Sequence, residues 1–337
     1  CQAAGMVSLG RVALDGTKVR ANASKRKAMS YARMTEKEKV LAAEVSALLL
    51  EAERIDKAED QQFGKDRRGD ELPAELARRE TRLVKIRQAK AALEHEAAEA
   101  ARADAERKAR ERDDDDDTTT SAGAAAAAAA TPKPKAQRNF TDPDSKIMLT
   151  ADGAFHQCYN AAAVVDADHQ VIVATAVGTN AADVGTLLPM TRQAAANTGR
   201  VPAQVLADAG YSSAANCEAA AAYTATYGTE FFIAPGRRRR DDPAPVAPRG
   251  RIPADATTKQ RMARKLTTKR GQQVYARRKA IVEPVFGQMS TLQNAKHLLL
   301  RGLEQARGEW LLLAACHNIR KLHGHIGLTG LSALPAY

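Results

Sequence analysis

Aromatic side chains are scarce in this chain. Phe, Trp and Tyr make up 4% of its 337 residues, with a single Trp. A core must therefore be built largely from aliphatic residues and alanine. Cysteine is nearly as rare: Cys1, Cys158, Cys217 and Cys316 are widely spaced and form no Cys-x-x-Cys pair. That spacing excludes a zinc knuckle or a disulfide framework and suits a reducing compartment. Long apolar runs are missing too. The longest near the end, residues 311–316, falls far short of the roughly 18 residues that a bilayer demands, so no membrane partner is expected. No secretory signal is read at the front. The first residue is Cys1 rather than Met, and we expect a fragment or processed product of a longer chain.

What the chain does have is bulk and positive charge. Its length suffices for one large domain or two ordinary ones, and 44% of it is hydrophobic. The formal net charge is +11 and the sequence pI about 9.5, which points to a polyanionic partner. The excess is local. Residues 237–282 hold 15 Lys and Arg against 3 Asp, a net +12, so the rest of the chain sums to about −1. One segment supplies the whole imbalance.

Residues 11–20 read as strand, Asp-Gly turn, strand. From 35 to 112 the chain is rich in Ala, Glu, Lys, Arg and Leu, the composition of long helices. Leu41, Val45, Leu48, Ala52 and Ile55 recur at helical spacing; Leu76, Leu83, Ile86, Lys90 and Leu93 do the same, with a lysine in the seam. Residues 64–73, with two glycines and a proline, break the pattern. An antiparallel, coiled-coil-like helical hairpin that mainly covers itself is expected. Five aspartates (113–117), a Thr/Ser tract, seven alanines and Thr131-Pro132-Lys133-Pro134-Lys135 follow. This composition reads as a flexible linker over 113–137.

Beyond Phe140 the pattern turns to β. Residues 161–165 and 170–177 read as strands around the polar turn Asp166-Ala167-Asp168-His169. A helix over 182–197, a strand over 204–207, a helix over 213–227 and a strand over 230–234 follow. Residues 236–256 are irregular, and helices resume near Thr258. The order implies an α/β fold, a mixed sheet with flanking helices, interrupted after its first strand by an all-α insertion. The expected boundaries are 1–24 for the first strands of the core, 25–112 for the hairpin, 113–137 for the linker and 138–337 for the rest of the core.

Three acids stand at the edges of apolar stretches: Asp15 in Leu14-Asp15-Gly16, Asp208 in Leu206-Ala207-Asp208-Ala209-Gly210, and Glu283 before Pro284. Each has a plain reading, as a hairpin turn, a strand-to-helix turn and a helix boundary. Chemistry in an open α/β sheet collects beyond strand ends, where Asp15 and Asp208 both fall. Tyr275, Lys279 and Glu283 are spaced to share one helical face, with Arg278 alongside. Pro284 is expected to kink or restart that helix. Three carboxylates without a His or Cys cluster suit a hard ion such as Mg2+ or Mn2+. Two such ions about 4 Å apart can serve phosphodiester cleavage. Asp166 competes with Asp15 as the first of the three acids. Asp166 and Asp168 otherwise read as turn residues, and Asp183 as a cap or first-turn acid of a helix. His317 reads as a buried histidine, Trp310 as core, and His323-x-His325 as only superficially a metal pair. Arg237, Arg238, Arg239 and Arg240 read equally as DNA contacts or as a solvated run.

The three acidic strings, in this order, together with Thr141-Asp142-Pro143-Asp144-Ser145, Tyr159-Asn160 and Val165-Asp166, resemble a bacterial insertion-sequence transposase of the DDE class. The likeness covers most of residues 8–323. Tyr275-x-x-Arg278 followed by Glu283 resembles that family's tyrosine, arginine and glutamate signature, and residues 310–322 resemble its last helix. The resemblance implies a ribonuclease-H-like core and cut-and-paste movement of DNA, with Asp15, Asp208 and Glu283 as catalytic acids that hold Mg2+ or Mn2+. Water would first hydrolyse a strand at the element's end, and the freed 3′-hydroxyl would attack target DNA. Tyr275 and Arg278 would hold the DNA backbone, flanked by Arg277 and Lys279. It further implies a homodimer on DNA and a place at the bacterial nucleoid in the cytoplasm.

The chain departs from the signature at two points. Ser290 stands where the family carries a lysine, with Lys296 nearby, and the step from Arg278 to Glu283 is one residue longer than the commonest form. Relatives also carry a DNA-end-binding segment ahead of the first acid, so an N-terminally truncated member is expected. Two other functions stay open: a catalytically impaired remnant that only binds DNA or pairs with other subunits, and a general nuclease.

Overall fold

The computed structural model describes residues 1–63, 74–112, 116–236, 246 and 249–332. In chain order its elements are β1 (Val12–Arg20), β2 (Ala28–Ser30), α1 (Tyr31–Phe63), α2 (Ala74–Glu111), α3 (Asp116–Ala129), β3 (Gln137–Asn139), β4 (Lys146–Leu149), β5 (Phe155–Asp166) and β6 (Ile172–Gly178). Then come α4 (Leu187–Thr198), β7 (Gln204–Ala207), α5 (Ala214–Tyr227), β8 (Glu230–Ile233), α6 (Thr258–Thr267), α7 (Lys269–Ala276), α8 (Arg278–Leu292) and α9 (Leu303–Ser332). They divide into two compact units, one of Cys1–Asn22 with Ser145–Tyr337, the other of Ala23–Asp144.

The first unit is built on a six-stranded mixed sheet in the order β4–β5–β1–β7–β8, with β6 also paired to β5. β1 runs antiparallel to β5 from Val12↔Asp166 to Arg20↔Cys158, and parallel to β7 from Val12↔Val205 to Leu14↔Ala207. β7 in turn is parallel to β8. Period-2 alternation sends Val12 and Leu14 to one face, where they pack with Val164, Leu187, Met190, Tyr211, Tyr223 and Phe231. Full burial of each such side chain contributes about 1.5–3 kcal/mol, and three aromatics, Tyr211, Tyr223 and Phe231, are part of this core. The α/β class expected from the element order is what the fold shows. α5 matches its sequence signals closely, with Ser213 accepting from Asn216 N at its start and Gly228 at φ +75° closing it.

Two local expectations are overturned. Asp15-Gly16 is not a turn, because β1 passes through it unbroken and Gly16 pairs with Ala162. A two-residue hairpin needs positive φ at its centre, and Gly16 does not have it. The long buried partner strand β5 instead satisfies the whole length of β1. Nor does Pro284 restart its helix: it lies inside α8. Proline cannot donate to the carbonyl four residues back, and the Ala280 carbonyl accepts from Gln170 Nε2 at 3.0 Å instead. The break comes earlier, at Arg277 between α7 and α8, so Tyr275 and Glu283 are on different helices.

The second unit holds the helical pair. Met34, Leu41 and Val45 of α1 pack with Leu76, Leu83, Ile86, Ala89 and Leu93 of α2. Glu38 meets Arg87 and Lys90 at 3.1 and 3.0 Å, and Glu44 meets Arg79 at 3.4 Å. Later residues of α1 therefore meet earlier ones of α2, the signature of antiparallel packing. The seam lysine is Lys90, and its charge is spent on Glu38. The tip of the pair, residues 64–73, lies outside the described residues. β2 and β3 pair antiparallel.

The stretch expected to be a flexible linker is helical over Asp116–Ala129, with Thr119 and Gly123 buried. A Cβ on Gly123 would stand 2.7 Å from Glu106 Cγ, so the small residue lets α3 lie close against α2. Asp116 and Asp117 fall in the first turn of α3, where the helix dipole favours anions. Residues 113–115 lie outside the described residues. Among the described residues no helix is long and apolar enough to cross a membrane.

Candidate active site

The parallel ladder between β1 and β7 ends at Leu14↔Ala207. Asp15 and Asp208 are each one position further along, so the sheet itself brings two of the three acids to one edge. Asp208 opens a short 3-10 turn (Ala209–Tyr211), and its Oδ1 accepts from Gly210 N at 2.8 Å. Asp15 is more enclosed. Its Oδ1 accepts from Gly16 N at 2.9 Å, and its Oδ2 pairs with Arg278 Nη1 at 2.9 Å.

Arg278 comes from the first turn of α8 and is buried, its side chain 9% exposed against 18% for Asp15. Its Nη2 lies 3.9 Å from Glu283 Oε1, with Glu283 54% exposed at the rim. Tyr275 lies close enough to Arg278 for the guanidinium to oppose the upward effect of burial on its phenol pKa. Burial raises the Asp15 carboxyl above its ordinary range; Arg278 opposes that shift and Asp208 adds to it. Burial works against the Arg278 charge, but Asp15, followed by Tyr275 and Asp208, outweighs it and the guanidinium pKa is raised. Burial likewise raises the Tyr275 phenol. Arg277 and Lys279 are exposed on either side of Arg278. Tyr275, expected on the same face as Lys279, is turned toward Arg278.

Asp166 is spent elsewhere. It is fully buried, with Oδ2 accepting from Leu9 N at 2.8 Å and Oδ1 from Asp168 N at 3.0 Å. It faces Val12 while Asp15 faces Ala163, a step of about 10 Å along the sheet. His317 is fully buried with Nε2 3.0 Å from the Gln170 carbonyl, and burial lowers its pKa. Trp310 is buried with Nε1 3.4 Å from the Ala162 carbonyl. His325 stacks edge-on against His169. Arg237, Arg238, Arg239 and Arg240 lie outside the described residues.

Asp183 was read as a helix cap, and its side chain makes no capping bond. It reaches the acidic edge instead. Its Oδ1 accepts from Asn160 Nδ2 at 2.6 Å and from Lys18 Nζ at 3.1 Å. An acid just before a helix is so common a cap that no sequence signal separated this one.

Much of the basic segment is tied to the protein. Arg261 donates to the carbonyls of Ala254 and Ala256 at 2.8 and 2.9 Å, and Arg264 donates to that of Gly250. Lys265 and Arg270 share Glu230 at 3.5 and 2.5 Å, and Lys265 lies over the Phe232 ring. Lys259, Lys269, Arg277 and Lys279 are exposed.

As oxygen donors Asp15, Asp208 and Glu283 suit a hard divalent cation. Their arrangement is that of a guarded site, because Arg278 occupies Asp15 Oδ2. Among the described residues no group of three or more His, Cys, Asp and Glu is set to hold a metal ion. Residues 251–323, which contain Tyr275, Arg278 and Glu283 but neither Asp15 nor Asp208, match the model of the transposase DDE domain. No curated protein and no solved structure matches the chain. The domain match supports a transposase of the DDE class.

Proposed function

We propose that this chain is a DNA transposase whose catalytic acids are Asp15, Asp208 and Glu283, set on a ribonuclease-H-like sheet. The observation that carries the reading is the contact of Arg278, inside the matched domain, with Asp15, outside it. That contact joins the two halves of the expected acid set. The strand pattern, with β1, β4 and β6 antiparallel to β5 and with β7 and β8 continuing parallel to β1, supports the sheet type.

The three carboxylates would hold Mg2+ or Mn2+, which DDE transposases generally use. Such ions supply Lewis acidity to the attacking and leaving oxygens of a phosphodiester. The protein's own part is orientation. Arg278 carries a fixed, buried charge at the acid edge and, released from Asp15, can clamp a backbone phosphate bidentately. Tyr275 orients Arg278. Lys279 and Arg277 offer exposed charge to the DNA on either side. Cleavage at element ends, followed by transfer of the freed 3′-hydroxyl to target DNA by a homodimer, is the activity that follows.

The test is Mg2+-dependent cleavage of duplexes that carry the element's terminal repeats. Asp15→Ala, Asp208→Ala and Glu283→Ala are each expected to abolish cleavage while DNA affinity persists; full activity in all three sinks the reading. A second reading, a remnant that binds DNA without cutting it, draws on one observation, the closure of Asp15 by Arg278. Tight binding without cleavage by the wild-type chain supports that alternative.

A further inference from the structure

We infer that Asp183 is a positioning residue of this site, fixing the backbone beside Asp15 and beside Asp208 and so setting the gap between them. The inference rests on the three-acid reading above for its functional consequence, but its geometry is independent of it. A Cβ on Gly16 would stand 2.7 Å from Asp183 Oδ1, and one on Gly210 would stand 3.4 Å from Asp183 Oδ2. One carboxylate thus lies against both glycines. Gly16 follows Asp15 directly, and the Gly210 N–H holds Asp208 Oδ1 at 2.8 Å. A side chain at Gly16 would push Asp183 away, whereas at Gly210 the nearest atom is Asp208 Oδ1 at 3.0 Å, with Asp183 in ordinary contact behind it.

Asp183 is itself held from the far strand. Asn160 on β5, 7% exposed, donates Nδ2 to it at 2.6 Å, while Asn160 Oδ1 has no hydrogen-bond partner. Lys18, three residues beyond Asp15 on β1, donates its ammonium to the same oxygen at 3.1 Å. The lysine cancels the charge of a fourth acid at an edge already crowded with carboxylates. The buried Tyr211 phenol lies among the same groups: burial raises its pKa most, and Asp183, Asp15 and Asp208 add to the shift.

Crystal structures of the wild type and Asp183→Ala read the positioning directly. The separation of the Asp15 and Asp208 carboxylates is expected to change by on the order of 1 Å in the variant, a displacement worth about 10²-fold in rate. An unchanged separation overturns the proposal. The consequence is read by cleavage of end-bearing DNA with Mg2+. Asp183→Ala and Asp183→Asn are expected to lower kcat about 10²-fold with KM unchanged, and Asp183→Glu to recover part of it. Wild-type kcat in Asp183→Ala also overturns the proposal. Should Asp183→Ala fail to fold, the isosteric Asp183→Asn carries both measurements. A wild-type chain that leaves DNA uncut overturns the transposase reading, and the crystallographic comparison then decides the positioning by itself.

Discussion

Arg278 Nη1 and Asp15 Oδ2 lie 2.9 Å apart across 263 residues of sequence. Both side chains are largely buried, so each charge depends on the other. Removing one partner of such a pair leaves an uncompensated charge, at a cost of about 3–5 kcal/mol. Arg278→Ala is expected to cost near the lower end, about 3 kcal/mol, at neutral pH, because Asp15 can take up a proton. The Asp15 carboxyl is already raised by burial and would rise further without Arg278. A carboxyl raised on folding contributes stability below its unfolded pKa and loses it as pH rises through the folded value. The deficit of Arg278→Ala should therefore shrink in acid and open as pH rises. Urea unfolding of both proteins between about pH 4 and 8 measures it; a deficit that is constant with pH would show that Asp15 is not the group left exposed.

Gly16→Ala is expected to destabilise by about 1–3 kcal/mol, the usual range for overpacking, because its Cβ would meet Asp183 Oδ1 at 2.7 Å. The same substitution in an Asp183→Ala background should cost far less. Thermal unfolding of the two single variants and the double variant gives the coupling. Additive losses would mean that the two residues do not meet.

Gln170→Ala is expected to cost about 1 kcal/mol, since its Nε2 fills the acceptor that Pro284 leaves open on Ala280. Pro284→Ala restores a backbone N–H for that carbonyl. The loss from Gln170→Ala should be smaller in the Pro284→Ala background, as read from chemical denaturation of the double-mutant cycle. An equal loss in both backgrounds would point instead to the bond from Lys321 Nζ to Gln170 Oε1 at 2.8 Å.

His317 predicts an acid limb in the stability profile. Burial holds its pKa below the ordinary value, so the unfolded chain binds the extra proton. Its contribution is complete above the unfolded pKa of about 6.5 and is lost as pH falls through the folded value. His317→Gln is expected to flatten that limb while lowering stability overall. Unfolding midpoints of wild type and variant on the acid side of about pH 6.5 test this; parallel profiles would assign the limb to other groups.

DNA affinity should fall with salt, but less steeply than a net +12 over residues 237–282 suggests. Arg261, Arg264, Lys265, Arg270 and Arg278 of that segment are engaged with protein groups. Each phosphate contact contributes a slope of about −0.9. Lys279→Ala and Arg277→Ala are each expected to flatten the slope by about 0.9 in anisotropy titrations across a salt series. An unaltered slope in both would remove these side chains from the interface.

Local signals were legible where one short stretch decides its own conformation. Ser213 and Gly228 bracket α5 because a hydroxyl cap and a left-handed glycine act within one turn. The paired leucine stripes of α1 and α2 are periodic, and their packing follows from period alone. Propensity misled where a distant partner outweighed it. The Asp15-Gly16 pair carries the composition of a hairpin turn, yet β5 supplies a full ladder and draws it straight. The composition of 113–137 read as a flexible linker, yet Gly123 lets α3 lie close against α2.

By itself, then, the sequence determined the α/β class, the helical pair, the ends of α5 and the three acids worth examining, because these rest on composition, period and short-range chemistry. Tertiary structure alone decided which acids meet. It carried Asp15 and Asp208 to one edge through the register of β1 and β7, tied Asp166 into a corner, and brought Arg278 and Asp183 in from distant segments. Such contacts depend on strand register and on side chains more than a hundred residues apart, quantities that no local pattern encodes.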